Sequence, residues 1–296
     1  MYKSHFGLNE LPFGITPDTS FFFLCPSSQE ALNTLLIAAR NGEGFIKITG
    51  EVGTGKTLLC RKFMATLDDS FVTAYIPNPF LEPRTLMMAL ADELSITLNK
   101  DVDQHQLLKS INHRLLILAR EGKKVLVCLD EAQAIPQESL EALRLLTNLE
   151  TEKRKLLQIV MFGQPELDRN LRNEAIRQLA QRITFHYNLL PLTRDDLDFY
   201  LTHRLNVAGY TGARLFNRGA VRALSQASGG IPRLVNVLAH KSLMLAFGEG
   251  RREVTARHVK AAARDTIAAR SAWRAWWWLP VAAFVAGSGA VWAYFQ

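Results

Sequence analysis

Residues 50–57, Gly50-Glu51-Val52-Gly53-Thr54-Gly55-Lys56-Thr57, decide the fold because they match the phosphate-loop pattern G-x-x-x-x-G-K-[ST]. The apolar run 45–49 precedes them and helical periodicity follows over 57–67, which is the strand–loop–helix context that this pattern requires. Glycines in the loop let backbone N–H groups turn inward around a polyphosphate, and the start of the helix adds a positive dipole. The stretch therefore predicts a nucleotide site, and a plain Gly-rich turn is the disfavoured alternative.

Two side chains of this phosphate loop have separate predicted roles. Lys56 reaches the β and γ phosphates of ATP, and the hydroxyl of Thr57 ligates Mg²⁺. The residues predicted to bind the nucleotide are Gly50, Glu51, Val52, Gly53, Thr54, Gly55, Lys56, Thr57 and Leu58. ATP and Mg²⁺ are therefore the expected ligands.

A second apolar run, 125–129, ends in two acids, Asp130 and Glu131. A carboxylate at a strand tip can hold Mg²⁺, which assigns Asp130 to the metal beside Thr57. The next carboxylate, Glu131, can polarise the water that attacks the terminal phosphate. The alternative is that both acids only cap the following helix. With a phosphate loop upstream, the pair favours hydrolysis of ATP over mere binding.

Short apolar runs alternate with helical stretches through the first 190 residues. The predicted strands are 45–49, 71–76, 125–129, 156–162 and 183–189, and the predicted helices are 28–40, 57–67, 84–94, 104–120 and 137–150. Ser27, followed by Glu30, suggests a capping box for the first of these helices. The strands lack polar alternation, which predicts an α/β fold with a parallel five-stranded sheet buried on both faces.

After Pro191 the strand pattern stops and four helical segments follow, at about 194–207, 218–227, 232–247 and 256–269. This predicts three parts: a nucleotide-binding core over 1–190, a small all-α lid domain over 191–270, and a basic linker with an apolar helix over 271–296.

The formal net charge is +7, and most of it is local. Residues 251–274 hold seven Lys or Arg and two acids, a surplus of +5. The rest of the chain carries only +2, which argues against a general nucleic-acid surface. The three cysteines are far apart in the sequence and predict reduced thiols, and neither Cys nor His shows the spacing of a metal site.

The segment 276–295 contains no charged side chain and is long enough to cross a bilayer as a helix. Aromatic residues lie at both of its ends, and the arginines before it predict that this side is cytoplasmic. We therefore expect a single pass through a membrane with the body in the cytoplasm and the C-terminus outside; the family resemblance given next implies that this is the bacterial inner membrane. A buried C-terminal core helix is the alternative.

The order of these motifs resembles that of the AAA+ ATPases. More narrowly, the chain resembles the ExeA/GspA family of bacterial secretion ATPases, with MshM-type ATPases of MSHA (type IV) pilus biogenesis as the nearest likeness. The residues that carry this narrower resemblance are Phe6-Gly7-Leu8, Pro12-Phe13, Thr16-Pro17-Asp18, Asp130-Glu131-Ala132-Gln133 and Gly163-Gln164-Pro165-Glu166-Leu167.

The resemblance implies three further catalytic residues. Arg182 corresponds to an arginine finger that completes a neighbouring subunit's site, which implies a homo-oligomer. Arg177 is the rival finger, and a surface ion pair with Glu174 is the bland alternative for Arg182. Arg233 corresponds to the second sensor arginine, against a cation that merely lies near a helix start. Gln164 corresponds to the sensor after the fourth strand, or else is a loop amide that caps the next helix.

Together these features predict a membrane-tethered ATPase that drives assembly or positioning of a type IV (MSHA) pilus or a type II secretion-like envelope machine, with assembly proteins of that machine as partners. The first alternative is a DNA-associated ATPase of the transposition or initiator type, which is less favoured because the basic charge is so local. The second is a nucleotide-gated scaffold with little turnover.

Overall fold

A computed structural model describes residues 2–98, 102–148, 150–151, 154–267 and 269. The described chain forms two compact units. One is Pro17–Leu190, and the other combines the residues up to Thr16 with those from Pro191 onward. We call them the nucleotide unit and the helical unit.

The nucleotide unit is built on a five-stranded parallel sheet with the order β2-β3-β6-β1-β7. Its strands are β1 (Phe45–Gly50), β2 (Phe71–Ile76), β3 (Lys124–Leu129), β6 (Leu157–Gly163) and β7 (Ile183–Leu189). A separate antiparallel pair comprises β4 (Glu150–Thr151) and β5 (Arg154–Lys155). The predicted parallel five-stranded sheet is therefore confirmed.

Helices cover both faces of this sheet. They are α2 (Pro26–Asn41), α3 (Lys56–Thr66), α4 (Pro83–Glu93), α5 (Gln104–Arg120), α6 (Gln137–Leu146), α7 (Glu166–Leu171) and α8 (Arg177–Ala180). Successive strand residues point to opposite faces, so Phe45 packs in the core beneath α4, α5 and α6, whereas Ile46 packs in the core beneath α2 and α3. Two buried faces explain why the strands read as continuous apolar runs.

Two predicted helices of the nucleotide unit differ from the observed ones, and in the helical unit the helix predicted over 256–269 ends at Arg264. The helix predicted over 137–150 ends at Leu146, because the chain turns there toward the pair β4–β5, which periodicity alone did not indicate. The predicted capping box at Ser27 is wrong. α2 begins at Pro26, one residue before Ser27, so Cys25 is the N-cap residue, and its side chain makes no capping hydrogen bond.

Ser27 and Glu30 bind the last strand instead. The Ser27 hydroxyl accepts a hydrogen bond from the backbone N–H of Leu190 at 3.0 Å, and the Tyr187 hydroxyl donates to Glu30 at 2.9 Å. A polar pair with capping-box spacing thus fastens α2 to the edge strand β7.

The helical unit contains α9 (Arg194–Val207), α10 (Arg218–Ser228), α11 (Pro232–Gly248) and α12 (Ala256–Arg264), with the short α1 (Lys3–Phe6). The N-terminal segment belongs here rather than to the core predicted over 1–190. Buried Arg204 of α9 donates to the carbonyl oxygens of Pro12 and Gly14, and Asn236 of α11 also donates to Gly14. Each donor satisfies a backbone carbonyl of a segment that has no strand or long helix of its own.

Within the described residues, no helix has both the length and the apolar character to cross a membrane. The predicted span 276–295 and the linker residues 271–275 before it lie outside the described part of the chain.

We expect Gly230→Ala to lower the free energy of unfolding more than Gly229→Ala. Both glycines have positive φ, 76° and 58°, so each alanine costs about 1–2 kcal/mol in the left-handed region. Only at Gly230 would the new methyl meet backbone, since it would lie 2.1 Å from the carbonyl oxygen of Leu192. Such overpacking adds roughly 1–3 kcal/mol.

Chemical denaturation of both variants, followed by the circular dichroism of the helices, measures this difference. Equal losses at the two positions would show that the contact with Leu192 does not constrain the turn.

Candidate active site

The phosphate loop follows β1 and closes tightly because three of its positions are glycine. Gly53 and Gly55 have φ of 83° and 100°, a conformation that other residues rarely adopt. At Gly50 a side-chain carbon would lie 2.9 Å from the carbonyl oxygen of Leu189, so only glycine fits between β1 and β7. The loop then leads directly into α3, whose first backbone N–H groups lack helical partners.

Lys56, the first residue of α3, is folded back into the phosphate loop. Its side-chain nitrogen donates to the carbonyl oxygens of Gly50 at 2.8 Å and Glu51 at 2.9 Å, and only 6% of the residue is exposed. Burial lowers the pKa of Lys56, while the nearby carboxylates of Glu131 and Asp130 act in the opposite direction. The ammonium group thus lies where an anionic phosphate would gain most from it.

Thr57 and Asp130 are in direct contact. The Thr57 hydroxyl donates to Oδ2 of Asp130 at 2.6 Å, and the Tyr75 hydroxyl, from β2, lies 3.3 Å from the same oxygen. Asp130 is buried, and its Oδ1 accepts the backbone N–H of Glu131 at 3.0 Å. A hydroxyl and a carboxylate side by side are the hard oxygen donors that Mg²⁺ prefers, so these two residues fit the predicted metal role.

Tyr75 was not predicted to be part of the site, although it lies in a predicted strand. Its hydroxyl reaches Asp130 only because β2 and β3 pair in parallel, with Tyr75 opposite Cys128. Burial, with the charge of Asp130 next in size, raises the pKa of Tyr75 to about 12. Tyr75 therefore acts as a neutral hydrogen-bond donor to Asp130 at physiological pH.

Glu131 has an unusual backbone conformation, with φ of 49° in the left-handed region. This turn directs its carboxylate toward the end of β6, where Gln133 donates to Oε2 at 2.6 Å and Gln164 donates to the same oxygen at 3.1 Å. Burial acts to raise the pKa of Glu131, but these two hydrogen bonds and the charge of Lys56 together hold it below its usual value. The carboxylate is thus ionised at neutral pH.

Gln164 does not cap α7 with its side chain, although this was the alternative prediction for it, because no side-chain hydrogen bond caps that helix. It lies directly after β6, and its side chain contacts the predicted general base. Gln133 was not predicted to be a site residue. It belongs to the tetrad that carries the family resemblance, and this was the only feature of the sequence that could have drawn attention to it.

The three predicted arginines are not among the hydrogen-bonded residues described above. Arg182, between α8 and β7, donates to the hydroxyl of Thr147 at 3.2 Å, and this hydrogen bond, rather than a pair with Glu174, is its contact within the described chain. Arg177 is exposed at the start of α8. Arg233 is the second residue of α11 in the helical unit and is also exposed. Their roles in catalysis stay predictions.

The chain is similar in sequence to known proteins. Residues 39–171 match the AAA domain family. Over 270 residues, or 91% of this chain, the sequence is 42% identical to general secretion pathway protein A of Aeromonas hydrophila. The chain spans about half of that relative, 49% of its length.

Solved structures with a similar fold include Cdc6p of Pyrobaculum aerophilum, with a TM-score of 0.65 and 18% identity over 89% of this chain and 70% of that one. The Aeropyrum pernix ORC2 protein has a TM-score of 0.60 and 18% identity over 84% and 72% of the two chains. The RuvB Holliday junction branch migration motor of Thermotoga maritima has a TM-score of 0.57 and 14% identity over 86% and 73%. At these identities the likeness concerns the fold alone.

The resemblance predicted from the motifs is thus confirmed at the level of the family. Residues 39–171 belong to the AAA domain family, and the chain is related to general secretion pathway protein A over 91% of its length.

Proposed function

We propose that this protein hydrolyses ATP with Mg²⁺ at the site formed by the phosphate loop and the tip of β3. The observation that carries the proposal is the contact between Thr57 and Asp130 at 2.6 Å, with Lys56 near enough to Asp130 and Glu131 for their charges to act on its pKa. This arrangement combines phosphate binding, a metal position and an ionised base in one place, which is what phosphoryl transfer to water requires.

Each residue then has a defined part in the reaction. Lys56 exchanges the carbonyl oxygens of Gly50 and Glu51 for phosphate oxygens. Thr57 and Asp130 hold Mg²⁺, which neutralises charge on the phosphates when it is bound. Glu131 accepts the proton of the attacking water, and Gln164 helps to orient the carboxylate and that water.

We further propose that turnover drives the assembly or positioning of an envelope machine of the type II secretion or type IV pilus kind, with MSHA pili as the narrowest candidate. The name of the Aeromonas relative and the motifs shared with the ExeA/GspA family support this, as does the predicted membrane span at 276–295. The body would work on the cytoplasmic side of the inner membrane as a homo-oligomer.

The DNA-associated alternative would rest on the basic residues of 251–264. Part of their charge is neutralised inside the helical unit, since Arg257 and Arg251 lie 3.0 Å and 3.5 Å from the carboxylate of Glu249. A surface that holds its arginines in ion pairs attracts a phosphate backbone less strongly. The alternative of a nucleotide-gated scaffold predicts ATP binding with little turnover at any protein concentration.

We expect Lys56→Ala and Glu131→Gln to fail at different steps. Loss of the ammonium group should abolish ATP binding, whereas loss of the base should preserve binding and lower kcat by about 10²–10⁴-fold. Fluorescent-nucleotide titration and steady-state phosphate release measure the two steps. Lys62→Ala, an exposed lysine on the same helix, is the matched control and should behave as wild type. Wild-type turnover in both site variants would refute the assignment.

A mixing experiment tests whether Arg182 acts on a neighbouring subunit. Arg182→Ala and Lys56→Ala should each be inactive, with a finger worth at least roughly 10³-fold in kcat. In the mixture, the intact site of an Arg182→Ala subunit can receive the arginine of a Lys56→Ala subunit, so activity should return. The same mixture with Arg177→Ala tests the rival finger. A mixture as inactive as its components would exclude action in trans.

Membrane tethering through 276–295 predicts that the full chain stays with the membrane fraction in about 1 M salt, where charge attraction is screened within ~3 Å, and leaves it only in detergent. A chain that ends at residue 269 should appear in the supernatant. Release of the full chain by salt alone would instead indicate attachment through its basic residues.

A further inference from the structure

We propose that Gln133 is the positioning residue that fixes the carboxylate of Glu131 for proton abstraction. This inference rests on the proposed hydrolysis of ATP and adds a residue whose role the family motif does not explain. Gln133 touches neither the phosphate loop nor the metal position in the described contacts, so it acts through Glu131.

The orientation of the Gln133 amide follows from its two contacts. Its oxygen accepts the backbone N–H of Gln164 at 3.0 Å, and a backbone N–H can only donate. The NH₂ group must therefore face the other way, toward Oε2 of Glu131 at 2.6 Å. A flipped amide would set donor against donor at Gln164, so both bonds together select one orientation.

Gln133 is itself held in place by its surroundings. Its backbone carbonyl accepts a hydrogen bond from the side chain of Asn170 in α7 at 3.0 Å. Gly163, the last residue of β6, lets Leu167 of α7 pack closely beside the amide, because a side-chain carbon there would lie 2.7 Å from Leu167. The residue thus bridges the tips of β3 and β6 and the helix α7.

This bridge leaves the two carboxylate oxygens of Glu131 in different states. Oε2 accepts from both Gln133 and Gln164, whereas no residue in the described ranges donates to Oε1. The unoccupied oxygen is available to take a proton from water.

Few residue types could perform this function at position 133. The bridge needs a donor toward Glu131 and an acceptor toward Gln164 on one planar group, and an amide supplies both. A glutamate could still accept from Gln164, but it would place a second negative charge against Glu131. That repulsion would favour the protonated form of Glu131, which cannot act as a base.

The test compares Gln133→Glu and Gln133→Ala with wild type in the full chain. Gln137→Ala is the matched control. Gln137 begins α6 and accepts a hydrogen bond from Asn173, and it makes no hydrogen bond to Glu131 or Gln164 in the described residues. We expect kcat near neutral pH to fall about tenfold or more in Gln133→Glu, with KM for ATP unchanged. Gln133→Ala, which removes the donor without adding a charge, should also lower kcat with KM for ATP unchanged, because only Gln164 then donates to Oε2 of Glu131.

A second measurement needs no turnover. In crystal structures of the nucleotide-free protein, the Glu131 carboxylate should hold one orientation in wild type and should leave it, or take several, in Gln133→Ala. Thermal unfolding of each variant identifies any loss of fold, and Gln133→Ala, which introduces no charge, is the milder variant.

An unchanged kcat in Gln133→Ala, or a Glu131 carboxylate that keeps its wild-type orientation in that variant, would overturn the inference. A wild-type protein without turnover would refute the proposed hydrolysis, and the crystal structures would still report whether Gln133 holds the Glu131 carboxylate. The two failures are therefore distinguishable.

Discussion

The parallel pairing of β3, β6 and β1 is the constraint on which the rest of the site depends. Because all three strands run in the same direction, their carboxyl ends meet at one edge of the sheet. The phosphate loop leaves β1 there, Asp130 and Glu131 leave β3, and Gln164 leaves β6. Thr57 and Asp130, 73 positions apart in the sequence, thereby come within hydrogen-bond distance of each other, although the chemistry of each is local to its own turn.

Hydrogen bonds at this edge of the sheet explain how its buried charged side chains are stabilised. A buried lysine is costly unless its ammonium group is hydrogen-bonded, and Lys56 satisfies it with two backbone carbonyls of its own loop. In the same way, the Thr57 hydroxyl donates a hydrogen bond to the buried carboxylate of Asp130. These internal hydrogen bonds occupy the groups that would bind a nucleotide and a metal. Binding would therefore replace existing hydrogen bonds rather than add new ones.

Much of this fold was predictable because its strands are short, apolar and separated by helices of ordinary length. The phosphate loop also marks where one strand ends and the next helix begins in the sequence. The bridge made by Gln133 was not predictable, since it depends on β3 and β6 being neighbours in the sheet. The same limit explains Ser27 and Glu30, whose spacing fits a local cap while their partners lie on β7. Local patterns cannot distinguish a cap from a tertiary contact when the residue types are identical.

The backbone of Glu131 links these levels. A non-glycine residue at φ of 49° costs about 1–3 kcal/mol, and such strain persists only where the surroundings determine it. Here the Glu131 N–H donates to the side chain of Asp130, and the Glu131 carbonyl accepts a hydrogen bond from the N–H of Ala134. Two side-chain amides donate to the Glu131 carboxylate. An acid that only capped a helix would gain nothing from this conformation. Strain maintained by contacts on both sides of the residue is better explained by the need to aim one carboxylate oxygen at a water beside the terminal phosphate.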